Sequence, residues 1–349
     1  MSEPCAYVSQ TWGVHDYRWV EALVDLGFDV QIFSCEKDGS TIQQIRSELA
    51  HTAGPVLAGP LTTISHHLIG ISRPLVGLSW GFDLFQLQSD GEDLSWLQQL
   101  DGLIVDSTAT RNIALESGVE DAKVHSIPWG IDVETFTPQG PVVDLHEWGV
   151  PASAPIIVSL RALEPLYRVG DIIDAFALIA GEESGSHLII GNDGSLRQEL
   201  VERVQGHGIS DRTTFIGRLA ESDLPNLLRA STVYVTASEV DGASVTLLQA
   251  MSCEVPVVAS ATPGNSDWVV PGQTGHLFTM GSPQEMAVAL SAAMNDSAHG
   301  DPRGLTTKAR DLVKQRAAWN RNRRALGTIM RPAQRGTSSR SAAASRLQG

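Results

Sequence analysis

The sequence predicts an α/β protein in which two Rossmann-like, doubly wound domains face each other across a cleft. Three observations carry that expectation. Short apolar runs alternate with amphipathic stretches along most of the 349 residues, the pattern of parallel strands covered by helices. The length is more than one domain of roughly 100–200 residues needs. A stretch holding Pro128, Gly130, Pro138, Gly140 and Pro141 divides the alternation into two series.

In the first series the expected strands are CAYVS (5–9), VQIFS (30–34), PLVGLS (74–79) and GLIVDS (102–107). Between the first two, residues 15–27 place Trp19, Leu23 and Leu26 on one helical face, and Gly27 supplies the stop. The second series has strands at 154–160, 186–191, 213–217, 233–237, 255–260 and 275–278, with helices at 169–180, 195–208 and 245–254. The expected organisation is a first Rossmann-like domain over 1–140 and a second over 141–302. A helical segment over 303–331, able to pack back on the first domain, and a disordered basic tail over 332–349 complete it.

Composition narrows the function. Hydrophobic residues make up 42% and charged residues 19%, which excludes wholesale disorder. No apolar run approaches the roughly 20 residues needed to span a bilayer, and the N-terminus lacks a secretory pattern. A cytoplasmic protein without stable membrane insertion is expected. Cys5, Cys35 and Cys253 fit neither a disulfide framework nor a zinc site.

The net charge of −15 is unevenly spread. Residues 302–349 hold 12 of the 25 Lys and Arg and one acid, leaving 13 basic and 39 acidic residues elsewhere. A body that acidic repels nucleic acid, and any anionic ligand must find one of those 13 cations. The sequence has no G-x-G-x-x-G after the first strand and no phosphate loop of the Walker type. It also lacks H-E-x-x-H and D-x-D, so no metal is expected. His66 and His67 are adjacent in a helix and diverge by about 100°, which disfavours a metal pair.

The most informative stretch is 238–278, SEVDGASVTLLQAMSCEVPVVASATPGNSDWVVPGQTGHLF, which runs loop, helix, strand, turn, loop and strand. It resembles the donor-binding segment of retaining family-4 glycosyltransferases, whose GT-B fold is two facing Rossmann-like domains. The family's two glutamates correspond to Asp241 and Gln249, followed by Ala250, Met251, Glu254, Pro256, Val257 and Val258. Both acids are replaced, and Glu254 stands where glycine is usual. A branch with Asp-Gly-x-Ser at the first position is more similar still. PWGIDVETFTP (128–138) resembles the interdomain segment, with Trp129 in an asparagine's place. SLRALEPLYRVGDIIDAFALI (159–179) resembles the segment carrying the phosphate-binding cations, here Arg161 and Arg168. GFDLF after VGLSW resembles the acceptor-side strand end, with Trp80 where many members have histidine. The resemblance runs in order over residues 5–280.

What the resemblance implies is retaining, metal-independent transfer of a sugar from a nucleoside diphosphate sugar to a small-molecule acceptor, in specialised metabolism as the preferred setting. No cofactor besides that co-substrate is implied, and the oligomeric state is open. A non-catalytic sugar-nucleotide-binding relative with a regulatory role is the alternative.

The implied roles agree with the chemistry. Charge builds on the departing diphosphate, and each well-placed group there is worth about 2.7–4 kcal/mol. Arg161 and Arg168 would supply it, or else form surface ion pairs with Glu164 or Asp171. Replacing either by alanine is expected to leave the fold intact. Asp241 would accept hydrogen bonds from the donor sugar, and Gly242, Ala243, Ser244 and Val245 would approach the donor through their amides; an ordinary turn is the alternative. Gln249 would hold ribose hydroxyls or be a satisfied amide in the core, and Leu248 is placed beside it at the donor. Gly13 would face the diphosphate. His15 would touch acceptor or donor, or simply begin a helix. Trp80 and Asp83 are expected on the acceptor side, with a place in the core as the alternative for Trp80.

Overall fold

The computed structural model describes residues 2–180, 185–242, 244–301 and 303–331, the side chain of Val14 aside. The first lobe holds a parallel sheet of β1 (Glu3–Ser9), β2 (Phe28–Ser34), β3 (Val56–Ala58), β4 (Leu75–Leu78), β5 (Gly102–Val105) and β6 (Val124–Ser126). The second holds β7 (Ile156–Ser159), β8 (His187–Gly191), β9 (Thr213–Gly217), β10 (Val233–Thr236), β11 (Val257–Ser260) and β12 (His276–Phe278). It too is parallel throughout. Buried on both faces, most strands are near-continuous apolar runs. The three-residue β3 and β6 were not among the expected strands, being too short to show a pattern.

Strand order fixes where ligands can sit. The first sheet runs β2-β1-β3-β4-β5-β6 and the second β12-β11-β10-β7-β8-β9. The winding direction reverses between β1 and β3, and between β7 and β10. Loops leaving the strand ends at such a switch point diverge to opposite faces and leave a crevice.

The basic segment after residue 302 is two helices, Leu305–Arg316 and Trp319–Met330. They are separated where the chain returns between lobes. There Ile131 N–H donates to Ala317 O (2.8 Å) and Trp319 N–H to Ile131 O (2.9 Å), so the outgoing and returning chains lie side by side. Trp319–Met330 then packs on the first helix, Val14–Asp25, where Arg323 meets Asp25 at 2.5 Å. One apolar cluster consequently joins the lobes, running from Tyr7 and Trp19 through Trp129 and Phe136 to Met251, Ala317 and Leu326. Among the described residues no helix is long and apolar enough to cross a membrane. The tail 332–349 lies outside the described residues.

A side chain at Gly130 would break the paired crossing, because its Cβ would lie 2.7 Å from the Trp319 Cα. Gly130→Ala is expected to cost about 1–3 kcal/mol through overpacking. A urea midpoint equal to that of the unaltered protein would contradict this.

Candidate active site

Arg161 follows β7 and Asp241 follows β10, the two strands flanking the second lobe's switch point. Arg161 Nη2 donates to Asp241 Oδ1 (2.7 Å) and Nη1 to Ser244 Oγ (2.7 Å). The Tyr167 ring lies 4.3 Å from the Arg161 guanidinium carbon. Each charged side chain of the pair is only 11% exposed. Burial lowers the Arg161 pKa, but Asp241, with Tyr234 and Tyr167 beside it, raises the group above its ordinary value on balance. Arg161 Nε, Asp241 Oδ2 and Ser159 Oγ are buried with no hydrogen-bond partner among the described residues. Unsatisfied polar atoms are rare in protein interiors, and these three gather at the strand ends.

Arg161 therefore pairs with neither Glu164 nor Asp171. Glu164 instead accepts from the Ser195 amide (2.8 Å). Arg168 does meet Asp171 (2.7 Å), and also Glu239 (2.8 Å), with its side chain 32% exposed. Hydrogen bonds to these carboxylates raise its pKa. Because the Glu239 amide also donates to Leu166 O (2.9 Å), the loops after β7 and β10 are tied together.

Ser244 begins the Val245–Ser252 helix and is buried, and Val245 is half-buried behind it. Ala243 lies outside the described residues. Gln249 is buried, and its Oε1 has no partner among the described residues, so the satisfied amide of the alternative reading is not what forms. Leu248 needs correction: it is 0% exposed and packs in the core with Leu247 and Met251, presenting nothing to a ligand. Successive helical residues point about 100° apart, so Gln249 and Leu248 cannot share a face.

The first lobe docks on this loop. A Cβ at Gly242 would fall 1.9 Å from Asp106 Oδ2, and one at Gly81 would fall 2.6 Å from the same oxygen and 2.9 Å from the Gly242 Cα. Both glycines make room for one carboxylate. Asp106, at the end of β5, was not singled out by sequence; an acid closing an apolar strand, GLIVD, was the available signal. A second bond across the lobes runs from the Thr108 amide to Asp267 Oδ2 (2.7 Å).

Gly13 caps the first helix; its amide donates to Asp16 Oδ2 (2.7 Å), and a Cβ there would meet nothing within 4 Å. His15, open to solvent, has ring centroids of Trp80 at 5.2 Å and Trp129 at 4.6 Å. Desolvation lowers its pKa, against the pull of Asp16. Asp83 is a correction. It is 3% exposed and accepts from the amides of Leu61 (2.7 Å) and Trp80 (3.0 Å) and from Ser79 Oγ (2.6 Å). It fastens the loops beside Trp80 and does not face an acceptor. Burial raises its pKa, with those hydrogen bonds opposing. Elsewhere, a depression lined by Asp174, Leu178, Arg203 and His207 is formed by helices, and its carboxylate is already held by Arg203 at 2.7 Å.

Two parallel sheets with ligand-capable loops facing each other define the GT-B class of fold. Two solved structures share it at full length. Anabaena HepE in complex with UDP superposes with a TM-score of 0.75 at 17% identity, covering 93% of this chain and 98% of its own. Sucrose-phosphate synthase from Thermosynechococcus elongatus gives 0.76 at 18%, covering 94% and 98%. Residues 144–316, the second lobe, match the family described as glycosyl transferases group 1. Among curated proteins, N-acetyl-alpha-D-glucosaminyl L-malate synthase of Bacillus anthracis is 28% identical over 168 residues, 48% of this chain and 42% of the relative. D-inositol 3-phosphate glycosyltransferase of Mycobacterium tuberculosis is 28% identical over 231 residues, 64% and 46% respectively. The chain thus spans under half the length of the curated relatives it matches.

The ion pair changes what an arginine substitution does. Arg161→Ala would strand Asp241 in a buried position and is expected to cost about 3–5 kcal/mol of stability, a cost the sequence alone did not show. Adding Asp241→Asn should restore part of the loss. Equal unfolding free energies for the single and double variants would refute the coupling.

Proposed function

We propose that the protein is a retaining, metal-independent glycosyltransferase that moves a sugar from a nucleoside diphosphate sugar to a small-molecule acceptor, with specialised metabolism as its setting. The observation that carries the reading is the Arg161–Asp241–Ser244 cluster at the switch point, with partnerless polar atoms around it. UDP in the HepE structure, and UDP-glucose in another of the same protein, make UDP the first nucleotide to try.

In this reading the donor's diphosphate replaces Asp241 as the partner of Arg161, and Arg168 supplies further positive charge. A phosphate can be gripped by two guanidinium nitrogens at once. Asp241, released, accepts hydrogen bonds from the sugar, and Gln249 takes the ribose. As the bond from the anomeric carbon to the diphosphate breaks, negative charge grows on phosphate oxygens already facing the arginines. The acceptor oxygen attacks on the side the diphosphate leaves, its proton passing to a departing phosphate oxygen.

A non-catalytic sugar-nucleotide-binding role is the second reading, favoured by Gln249 in place of an acid and by Asp241 being engaged with Arg161. Slow hydrolysis of the donor without acceptor separates the two, since only the enzyme performs it.

UDP at about 100 times its Kd should stabilise the fold by about 2.7 kcal/mol with EDTA present. No shift with UDP, GDP, ADP or TDP would sink the donor site, and a shift or turnover that returned only on adding magnesium would sink metal independence. Gln249→Ala should weaken nucleotide binding by about 1–3 kcal/mol, the cost of unmatched buried polar groups. Unchanged affinity would remove Gln249 from the site.

A further inference from the structure

The acceptor lobe presents aromatic rings at the cleft, and over residues 1–140 its cations are few. Contacts already described lead from the donor loop to this surface in three steps. Gly242 touches Gly81, Gly81 follows Trp80, and the Trp80 ring stands 5.2 Å from His15. A molecule lying on Trp80 and His15 is therefore beside the loop that carries Asp241. Beyond Gly81, Phe82 is 51% exposed, and on the first helix Tyr17 is 60% exposed.

All six cations of residues 1–140 are accounted for. At the strand-end side, Arg18 donates to Gly130 O and lies over the Trp129 and Trp319 rings at 5.3 and 4.2 Å. Lys37 lies 4.1 Å from the Trp12 ring centroid. Arg46 and Arg73 donate to Ile69 O (3.1 Å) and Leu49 O (3.0 Å). Arg111 and Lys123 donate to Val124 O (3.0 Å) and Gln98 O (3.1 Å). Against these stand 19 acids in the same 140 residues. Desolvation lowers the His15 pKa, as does the charge of Arg18, with Asp16 opposing.

Resting on the glycosyltransferase reading above, we propose that the acceptor is a hydroxylated ring compound without negative charge, received by the faces of Trp80 and His15, with an amino group favoured over a neutral ring. Aromatic faces attract cations through their quadrupole and pack the apolar face of a ring. An acidic lobe raises the local concentration of cations and repels anions. Phosphorylated or carboxylated acceptors would bring a negative charge to a stretch, residues 1–140, in which 19 acids outnumber six cations.

The test uses the full chain saturated with UDP at mildly acidic pH. Three nitrophenyl glycosides sharing one pyranose ring are titrated: the glucosaminide (cationic), the glucoside (neutral) and the glucuronide (anionic). The expected order is glucosaminide at least as tight as glucoside, with the glucuronide weaker by roughly tenfold or more. Trp80→Ala should weaken the glucoside by about tenfold, and Trp80→Phe, which keeps a ring face, should recover part of that. A glucuronide bound as tightly as the glucoside overturns the proposal, as does an absence of binding by all three. So does a folded Trp80→Ala variant, with its melting temperature retained, that binds the glucoside unchanged. If Trp80→Ala fails to fold, the charge series and Trp80→Phe decide. UDP binding is measured first: its failure defeats the donor-site reading, whereas failure of the glycoside series with UDP bound defeats this inference alone.

Discussion

Arg161 and Asp241 leave water together, and that requirement reaches well beyond two side chains. Either charge buried alone would carry a desolvation penalty of several kcal/mol. The loop after β7 must therefore close on the loop after β10, and Arg168, Glu239 and the Leu166 carbonyl hold the two in register. Gly264 lies where a Cβ would fall 1.9 Å from the Asp241 carbonyl oxygen. Bringing these loops together places Gly242 on the face that meets Asp106 and Gly81. The Gly242 contact between the lobes, beside the apolar cluster that also joins them, is in this sense downstream of one ion pair.

The lobes divide their chemistry. The second concentrates charge and partnerless polar atoms at its switch point, which suits a diphosphate. The first offers indole and imidazole faces, with its cations committed to carbonyls and rings. On the proposed reading, such a division would let an acidic chain take an anionic donor. Two arginines held by carboxylates keep their positions without ligand, and a phosphate competes for them on geometry as well as charge.

The fold was legible where physics is local. Strands β1, β7, β8, β10 and β11 are apolar runs because helices cover both faces of their sheets. β3 and β6 contribute three residues each and draw their identity from neighbours. At the site, Arg161, Asp241 and Gln249 were legible as residue types at strand and helix ends. That Arg161 would neutralise Asp241 depends on β7 lying beside β10, which no short segment encodes. Asp83 and Asp106 show the same limit. Asp106 directly follows β5 and Asp83 opens the helix after β4, yet Asp83 is turned inward by three amides and a hydroxyl while Asp106 meets the other lobe. Leu248 beside Gln249 failed for a simpler reason, since neighbours on a helix face different ways.

The return of the chain across the lobes means that a domain in space is not a segment in sequence. Helix Trp319–Met330 follows the second lobe in the chain but belongs, by packing, to the lobe that precedes it. A ribosome finishing residue 140 has produced a first lobe still missing one of its covering helices. Its apolar flank around Trp19 and Leu26 waits, uncovered, for nearly two hundred more residues. Conversely, a fragment cut after the linker carries a helix whose apolar side has no home. Each half is thus the other's chaperone as well as its neighbour.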